Sequence, residues 1–490
     1  MTEEINTSAI VQGTEMQREQ ITFWDGEGRL VPHLLYEYLE IVGIGNYFPD
    51  DSNRKNTEPI IVSVKGNVVC PVNIGYVLDI IKNYILECCT KGIGDCGSIL
   101  NSLHGKTSLF GDKNLKLLPT LNLKFICDSP DSGFFFFRNG VVEIKGDNIQ
   151  IRKYEEFDQY VWENSIIQID FVILEQTELE QNCDFLKFIK DLTIVADNDE
   201  SIIRLKALSS AIGYLLHRYK NPTTTKAIIL MDVYVNGMPN GGSGKTLLIN
   251  AIGKVRNLSV IDGKKYDQKE WFGLSSVELN TELLLFDDVE MNFNFELIFP
   301  LMTTGMFVRR KYKDNVIVPF GKSPKVAITT NYAINGNSSS FRRRMYEFEV
   351  SATYSANYTP RDKFTKNFFD GWDAVEWNYF FNTMFNFLQV FLKDGLVQSE
   401  PINMLLTKLI NRTCEEFVDW ADQNVQASSQ YDKKLLYDRF ITAYPEFKTR
   451  LKQREFTNWL RVWGEYKKFK VSETHSDEIR YIQFSTNSTT

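Results

Sequence analysis

At 490 residues, with 43% hydrophobic and 24% charged side chains and a formal net charge of −8, the chain has the composition of a globular protein with material for about three domains. The acidic balance excludes a protein that coats nucleic acid wholesale, but not one with local basic surfaces. No apolar run reaches membrane length, the polar start from Met1 to Ser8 lacks a signal peptide's apolar region, and seven cysteines, an odd number, suit reduced thiols; a cytoplasmic protein without a membrane partner is expected.

Residues 1–150 read as an α+β domain with no readable activity. Asn73 to Thr90 carries Val77, Ile80, Ile81, Tyr84 and Ile85 at helical spacing, and Phe134 to Ile144 reads as a hairpin turning at Asn139-Gly140. A nucleotide-polymerising site would need metal-binding carboxylates alternating along a strand. The nearest pair, Asp50-Asp51, sits in a Pro-Asp-Asp-Ser-Asn context that reads as a turn. Cys88, Cys89, Cys96 and His104 cluster without the paired Cys-x-x-Cys spacing of a zinc ribbon. Residues 151–225 read as mostly helical, with Ile202, Leu205, Leu208, Ile212 and Leu215 forming one apolar face.

Residues 226–350 hold the chemistry. Ala227 to Met231 is an apolar run of strand type, followed by Pro239-Asn240-Gly241-Gly242-Ser243-Gly244-Lys245-Thr246 and then the apolar start of a helix at Leu247. Strand, glycine-rich loop and helix in this order are suited to a nucleoside triphosphate. Gly241, Gly242, Ser243 and Gly244 let backbone N–H groups close on phosphate oxygens, Lys245 reaches the β/γ-phosphates, and the Thr246 hydroxyl ligates Mg²⁺. One position departs from the phosphate-loop pattern: Pro239 stands six residues before the lysine, where Gly is usual. About forty residues on, Leu283-Leu284-Leu285-Phe286 ends in Asp287-Asp288. Carboxylates at the C-terminal end of a buried strand lie where open α/β sheets bind ligands, with Asp287 assigned to Mg²⁺ and Asp288 to polarising the attacking water.

Val308 to Val318 reads as two short strands around the basic turn Arg309-Arg310-Lys311-Tyr312-Lys313. Lys325 to Asn331 is a further strand, whose terminal amide, Asn331, is placed to orient the lytic water. Arg342-Arg343-Arg344 follows, with either a transition-state arginine or a solvated basic patch as its reading.

Residues 351–425 read as a helical extension whose aromatics, from Phe364 to Phe381, are spaced for a core. Residues 426–484 differ in charge: from Asp432 to Lys470, eleven Lys/Arg oppose five Asp/Glu, a local balance of +6. Helices are expected at Lys433–Ala443 and along Phe456-Trp459-Leu460-Trp463, with a shorter turn or helix over Lys448–Arg454 between them and two strands flanking His475 after them. A winged helix touching duplex DNA through Asn458, Arg461 and Lys467 fits this pattern, and so does a basic protein-docking domain. Residues 485–490 have the composition of a disordered tail.

The phosphate loop, paired-acid strand, basic hairpin, Thr329-Thr330-Asn331 strand end and arginines, in that order over roughly residues 190–390, resemble the superfamily 3 helicases of viruses, phages and plasmids. The pattern is most similar to the helicase part of poxvirus-type phage primase-helicases. The resemblance implies an AAA+ core, ATP and Mg²⁺, a homo-oligomeric ring, expected to be a hexamer, and a helical collar over residues 151–225. It implies that Lys311 and Lys313, with Arg310, grip single-stranded DNA in the ring pore with 3′→5′ polarity. Arg344-Met345-Tyr346-Glu347-Phe348 is similar to the arginine-finger segment of parvovirus Rep proteins, which makes Arg344 the finger. The expectation is a replicative DNA helicase of a phage or mobile element, in the host cytoplasm. An origin-binding initiator ATPase, and a primase-helicase with a diverged N-terminal primase, are the alternatives.

Overall fold

The computed structural model describes residues 21–49, 58–235, 238–267, 273–278, 280–290, 293–308, 316–334, 339–476 and 479–486. The chain divides into two compact units, Met1–Ile173 and Leu174–Thr490.

The first unit carries two four-stranded sheets. One pairs Ile44–Tyr47, Ile60–Lys65, Val68–Pro71 and Val161–Trp162; the other pairs Asn148–Arg152, Gly140–Lys145, Ser132–Phe137 and Ile166–Ile167. The helix Ile74–Thr90 buries Val77, Ile81, Ile85 and Cys88, and Asn73 caps it by accepting from the Tyr76 N–H at 3.0 Å. The expected hairpin is present, but its turn is one residue earlier than its Asn-Gly signal suggests. Phe137 pairs with Gly140, so Arg138-Asn139 make the turn and Gly140 opens the second strand. In that turn the Asn139 side chain accepts from the Phe171 N–H and donates to the Phe171 carbonyl, both at 2.9 Å. Asp50-Asp51 lies outside the described residues.

The second unit is built on a five-stranded, all-parallel sheet: β1 (Ala227–Asp232), β2 (Leu258–Asp262), β3 (Leu283–Val289), β4 (Lys325–Thr330) and β5 (Met345–Val350), in the order β2-β3-β4-β1-β5. All six residues of β1 and of β4 are buried, which is why neither alternates: β1 is apolar up to Asp232, and in β4 the apolar residues 326–328 are flanked by buried Lys325, Thr329 and Thr330. Helix α1 (Asn198–Leu216) precedes the sheet, α2 (Lys245–Ile252) follows β1, and α3 (Ala374–Asp394) packs along α1.

Helix α1 corrects an expectation. Ile202 and Ile203 are exposed, while Arg204 and nearly everything from Ala207 to Leu216 is buried, so the helix has no single apolar face. Its C-terminal half is enclosed: a Cβ at Gly213 would stand 2.2 Å from the Phe387 carbonyl of α3, and Lys325 of β4 donates to the Tyr214 carbonyl at 2.7 Å. Arg204 satisfies its guanidinium on the Thr193, Glu400 and Glu349 carbonyls and lies 4.7 Å over the Phe348 ring. The aromatics of the 364–388 region are core, with Phe380, Phe381, Phe385 and Phe387 buried and Phe380 edge-on to Phe185 at 4.9 Å.

The C-terminal segment runs α4 (Glu415–Asn424), β6 (Ser429–Asp432), α5 (Lys433–Ala443), α6 (Gln453–Tyr466), β7 (Phe469–Ser476) and β8 (Ile479–Thr486). These strands pair antiparallel in the order β6-β8-β7. Between α5 and α6 the chain makes a 3₁₀ turn at Pro445–Phe447 that runs on into a turn over 448–450, the turn alternative of the expectation, and α6 starts at Gln453. Phe456, Trp459, Leu460 and Trp463 form the buried face of α6. Ser485 and Thr486, expected in a tail, complete β8 opposite Lys470 and Phe469. No helix among the described residues is long and apolar enough to cross a membrane.

Candidate functional site

The loop after β1 departs from the simplest phosphate loop by an insertion. Beyond Asp232 the chain forms a two-residue ladder, Tyr234–Val235 against Met238–Pro239, and returns so that the Asn240 N–H bonds the Val233 carbonyl at 3.3 Å. Pro239 therefore belongs to a small hairpin, and the loop proper runs from Asn240 to Thr246. Asn240 anchors its entry on the Tyr354 carbonyl at 2.7 Å, while Asn403 clamps the hairpin through the Tyr234 carbonyl at 2.7 Å. Gly242 (φ +82°) and Gly244 (φ +94°) occupy the left-handed region, where side chains are strained, and α2 starts at Lys245.

Beneath the loop, Lys245 is buried and holds three partners: Asp232 Oδ1 at 2.5 Å, Asn331 Oδ1 at 3.2 Å and Ser243 Oγ at 3.3 Å. Burial pushes its ammonium below the usual lysine range, opposed chiefly by Asp232 and then by Asp288 and Asp287. Ser243 Oγ also donates to Asp232 Oδ1.

At the end of β3 the register shifts between Phe286 and Val289, and Asp288 takes φ +54°. Both carboxylates of the pair are thereby engaged. Asp287 Oδ1 accepts from Thr246 Oγ1 at 2.9 Å and from Thr329 Oγ1 at 2.5 Å. Asp288 Oδ1 accepts from Asn331 Nδ2 at 3.3 Å, its N–H donates to Thr329 Oγ1 at 2.9 Å, and Lys264 forms an ion pair with Oδ2. That pairing raises the Lys264 ammonium above its ordinary value.

Lys245, Thr246, Asp287, Asp288 and Asn331 thus converge at the C-terminal edge of the sheet. Hydroxyl and carboxylate oxygens of Thr246 and Asp287 are hard donors of the kind Mg²⁺ takes, and their 2.9 Å separation suits a shared cation. Arg344 is not part of this cluster. It lies 4.6 Å over the Phe299 ring with Nη1 on the Ser340 carbonyl at 3.3 Å, and Arg342 and Arg343 are exposed on the same short helix. The basic turn's flanking strands pair, Gly305–Val308 against Val316–Pro319, whereas Arg310, Lys311 and Lys313 lie outside the described residues.

Of the C-terminal residues expected to face DNA, Asn458 is exposed, Arg461 donates to Glu473 at 2.6 Å, and Lys467 pairs with Asp422 at 2.9 Å. Sequence reasoning missed three members of the site. Asp232 carried a usable signal, since it ends an apolar strand just as Asp287 does. Thr329 was marked only as part of the Thr329-Thr330-Asn331 strand end, without a role, and Lys264 carried no signal, because both roles depend on which strand ends lie side by side.

No family model matches the chain, and no curated protein does. Among solved structures, the apo C-terminal region of NrS-1 is similar at 13% identity over 92% of this chain and 98% of that one, with a TM-score of 0.40. JCV Helicase is similar at 10% identity over 58% of this chain and 65% of that one (TM-score 0.25). Drosophila ORC bound to DNA is similar at 8% identity over 66% and 93% (TM-score 0.17). These likenesses are too distant to identify the chain. Its class follows from its own strand order and loop: a mixed α/β protein with a parallel sheet and a P-loop core.

Proposed function

We propose that the chain is an ATP-dependent replicative DNA helicase of a phage or mobile genetic element, working as a homo-oligomeric ring, hexameric by resemblance alone, on single-stranded DNA. The observation that carries the ATPase reading is the convergence of Lys245 and Thr246, at the start of α2, with Asp287, Asp288 and Asn331, at the ends of two adjacent parallel strands. Strand β4 lies between the phosphate-loop strand and the acid strand, an order that suits an AAA+ core and puts Asn331 between them.

In this reading the loop N–H groups from Gly241 to Gly244 hold the phosphates and Lys245 neutralises the β/γ oxygens. Bound Mg²⁺, held by Thr246 and Asp287, would offset charge on the phosphates. Asp288 polarises a water positioned by Asn331. Its oxygen attacks the γ-phosphorus, the bond to the bridging oxygen breaks, ADP departs, and the water's proton passes to Asp288 and on to solvent. Arg344 would act on a neighbouring subunit's nucleotide, with Arg342 and Arg343 as controls for that choice. Lys311, Lys313 and Arg310 would grip DNA phosphates, giving a salt-dependent, sequence-independent contact.

ATP hydrolysis with and without single-stranded DNA tests this. Lys245→Ala is expected to abolish hydrolysis; Lys311→Ala with Lys313→Ala is expected to keep basal hydrolysis and lose DNA stimulation. DNA-stimulated unwinding by the double variant would refute the hairpin assignment.

The C-terminal order of helix, strand, two helices and hairpin, with Arg454 and Asn458 on the exposed face of α6, favours one second reading: an origin-binding initiator. Sequence-specific duplex binding without unwinding would select it.

A further inference from the structure

Asp232 has no place in the reaction just described, yet its side chain is fully buried directly beneath the phosphate loop. One oxygen, Oδ1, takes both the Lys245 ammonium and the Ser243 hydroxyl, and the other, Oδ2, is buried without a hydrogen-bond partner. A carboxylate in such surroundings is costly unless it is compensated, and Lys245 is the compensating cation. Asp232 is also anchored by its backbone, which pairs with Val350 between β1 and β5. Lys245, by contrast, sits at the first turn of α2 on a flexible stem. Its other contacts, to Asn331 and Ser243, are long and neutral.

We propose that Asp232 is a positioning residue that latches Lys245 in the nucleotide-free loop, so that a nucleoside triphosphate binds by taking the ammonium from Asp232. The proposal rests on the nucleotide reading of this site. Two opposite consequences follow. Removing the Asp232 charge leaves Lys245 a buried cation without its directly paired carboxylate, facing only the more weakly acting Asp288 and Asp287, which destabilises the empty protein. The same removal abolishes the competitor for the ammonium, which favours the bound state. A merely structural carboxylate would lower stability and affinity together.

Equilibrium titration of wild type, Asp232→Asn and Lys245→Ala with the magnesium complex of a non-hydrolysable ATP analogue, alongside thermal melts, tests the latch. Asp232→Asn is expected to melt lower when empty and to bind the analogue about tenfold more tightly, as loss of one competing charge-assisted hydrogen bond implies. Unchanged or weaker binding by Asp232→Asn would overturn the latch. Absence of binding by wild type, or equal binding by Lys245→Ala, would instead overturn the nucleotide reading itself. If Asp232→Asn does not fold, a crystal structure of wild type with the analogue decides: Lys245 Nζ is expected on phosphate oxygens and away from Asp232, and its retention on Asp232 refutes the exchange.

Discussion

Three glycines of the phosphate loop have different reasons to be glycine, and replacing each by alanine should separate them. Gly241 has no atom within 4 Å of where a Cβ would stand and no left-handed φ. Gly241→Ala should change the stability of the empty protein by no more than about 0.5 kcal/mol, the range of an unhindered substitution. Gly244 has φ +94°, which costs an L-residue about 1–2 kcal/mol, and its Cβ would meet the Phe188 ring at 3.0 Å. An aromatic ring can give by a few tenths of an ångström, so the total stays near about 2 kcal/mol. Gly242 combines φ +82° with a Cβ position 2.9 Å from the Ala356 nitrogen and 3.0 Å from the Ser355 carbonyl carbon. Backbone atoms cannot step aside, so overpacking adds about 1–3 kcal/mol to the strain. Amide hydrogen exchange along α2 reads these differences as local opening. Protection there should fall about thirtyfold or more for Gly242→Ala, less for Gly244→Ala, and hardly at all for Gly241→Ala. Equal loss at Gly241 and Gly242, or none at Gly242, would refute the assignment of backbone conformation in this loop.

Thr329→Val keeps the shape of β4 but removes the hydroxyl that donates to Asp287 and accepts from the Asp288 N–H. Steady-state ATP hydrolysis should fall about ten- to a hundredfold, as one to two lost hydrogen bonds at a positioned acid pair imply. Lys220 tests a pH dependence remote from the site. Its ammonium donates to Ser323 Oγ at 2.7 Å and lies over the Phe320 ring, and burial brings its pKa down to about 8 from 10.5. Because the folded value is depressed, the unfolded chain binds the extra proton between pH 8 and 10.5. This contribution to stability therefore rises with pH across that window, by at most about 3 kcal/mol before screening of a half-buried group. In denaturant titrations the stability of wild type minus that of Lys220→Met should increase from pH 8 to 10, and a flat difference would contradict the burial of the charge.

How much of this was legible depends on what fixes each feature. The apolar stretches of β1, β3 and β4 were readable because parallel strands covered on both faces are largely apolar, although each strand runs on into polar residues, Asp232, Asp287-Asp288 and Thr329-Thr330, that meet partners on neighbouring elements. Helix α1 was readable as a helix but not by its buried face. Arg204 enters the interior by meeting three backbone carbonyls from distant segments, a pairing no periodicity encodes. Pro239 looked like a defect in the phosphate loop only while the loop was assumed to leave β1 directly. The Asn240–Val233 bond shows that the hairpin is set aside and the loop begins after it. Thr329 and Lys264 belong to the same class of feature, since lateral strand order decides their roles, whereas Asp232 was signalled by its place at the end of an apolar strand.

The paired acids show why both levels of reading were needed. In a regular strand successive side chains face opposite sides of the sheet, so Asp287 and Asp288 could not serve one ligand together. The register shift after Phe286 breaks that alternation, and the left-handed φ of Asp288 turns its carboxylate toward Asn331 and Lys264. Such a conformation is tolerated best by glycine, asparagine and aspartate, so aspartate at position 288 meets a backbone demand as well as a chemical one. The bulge is held by Thr329, whose hydroxyl accepts from the Asp288 N–H and donates to Asp287, so one side chain of β4 spaces both acids. A doublet of acids after an apolar run therefore locates the site. The threonine two residues before Asn331 on the neighbouring strand is what brings both acids to bear on it.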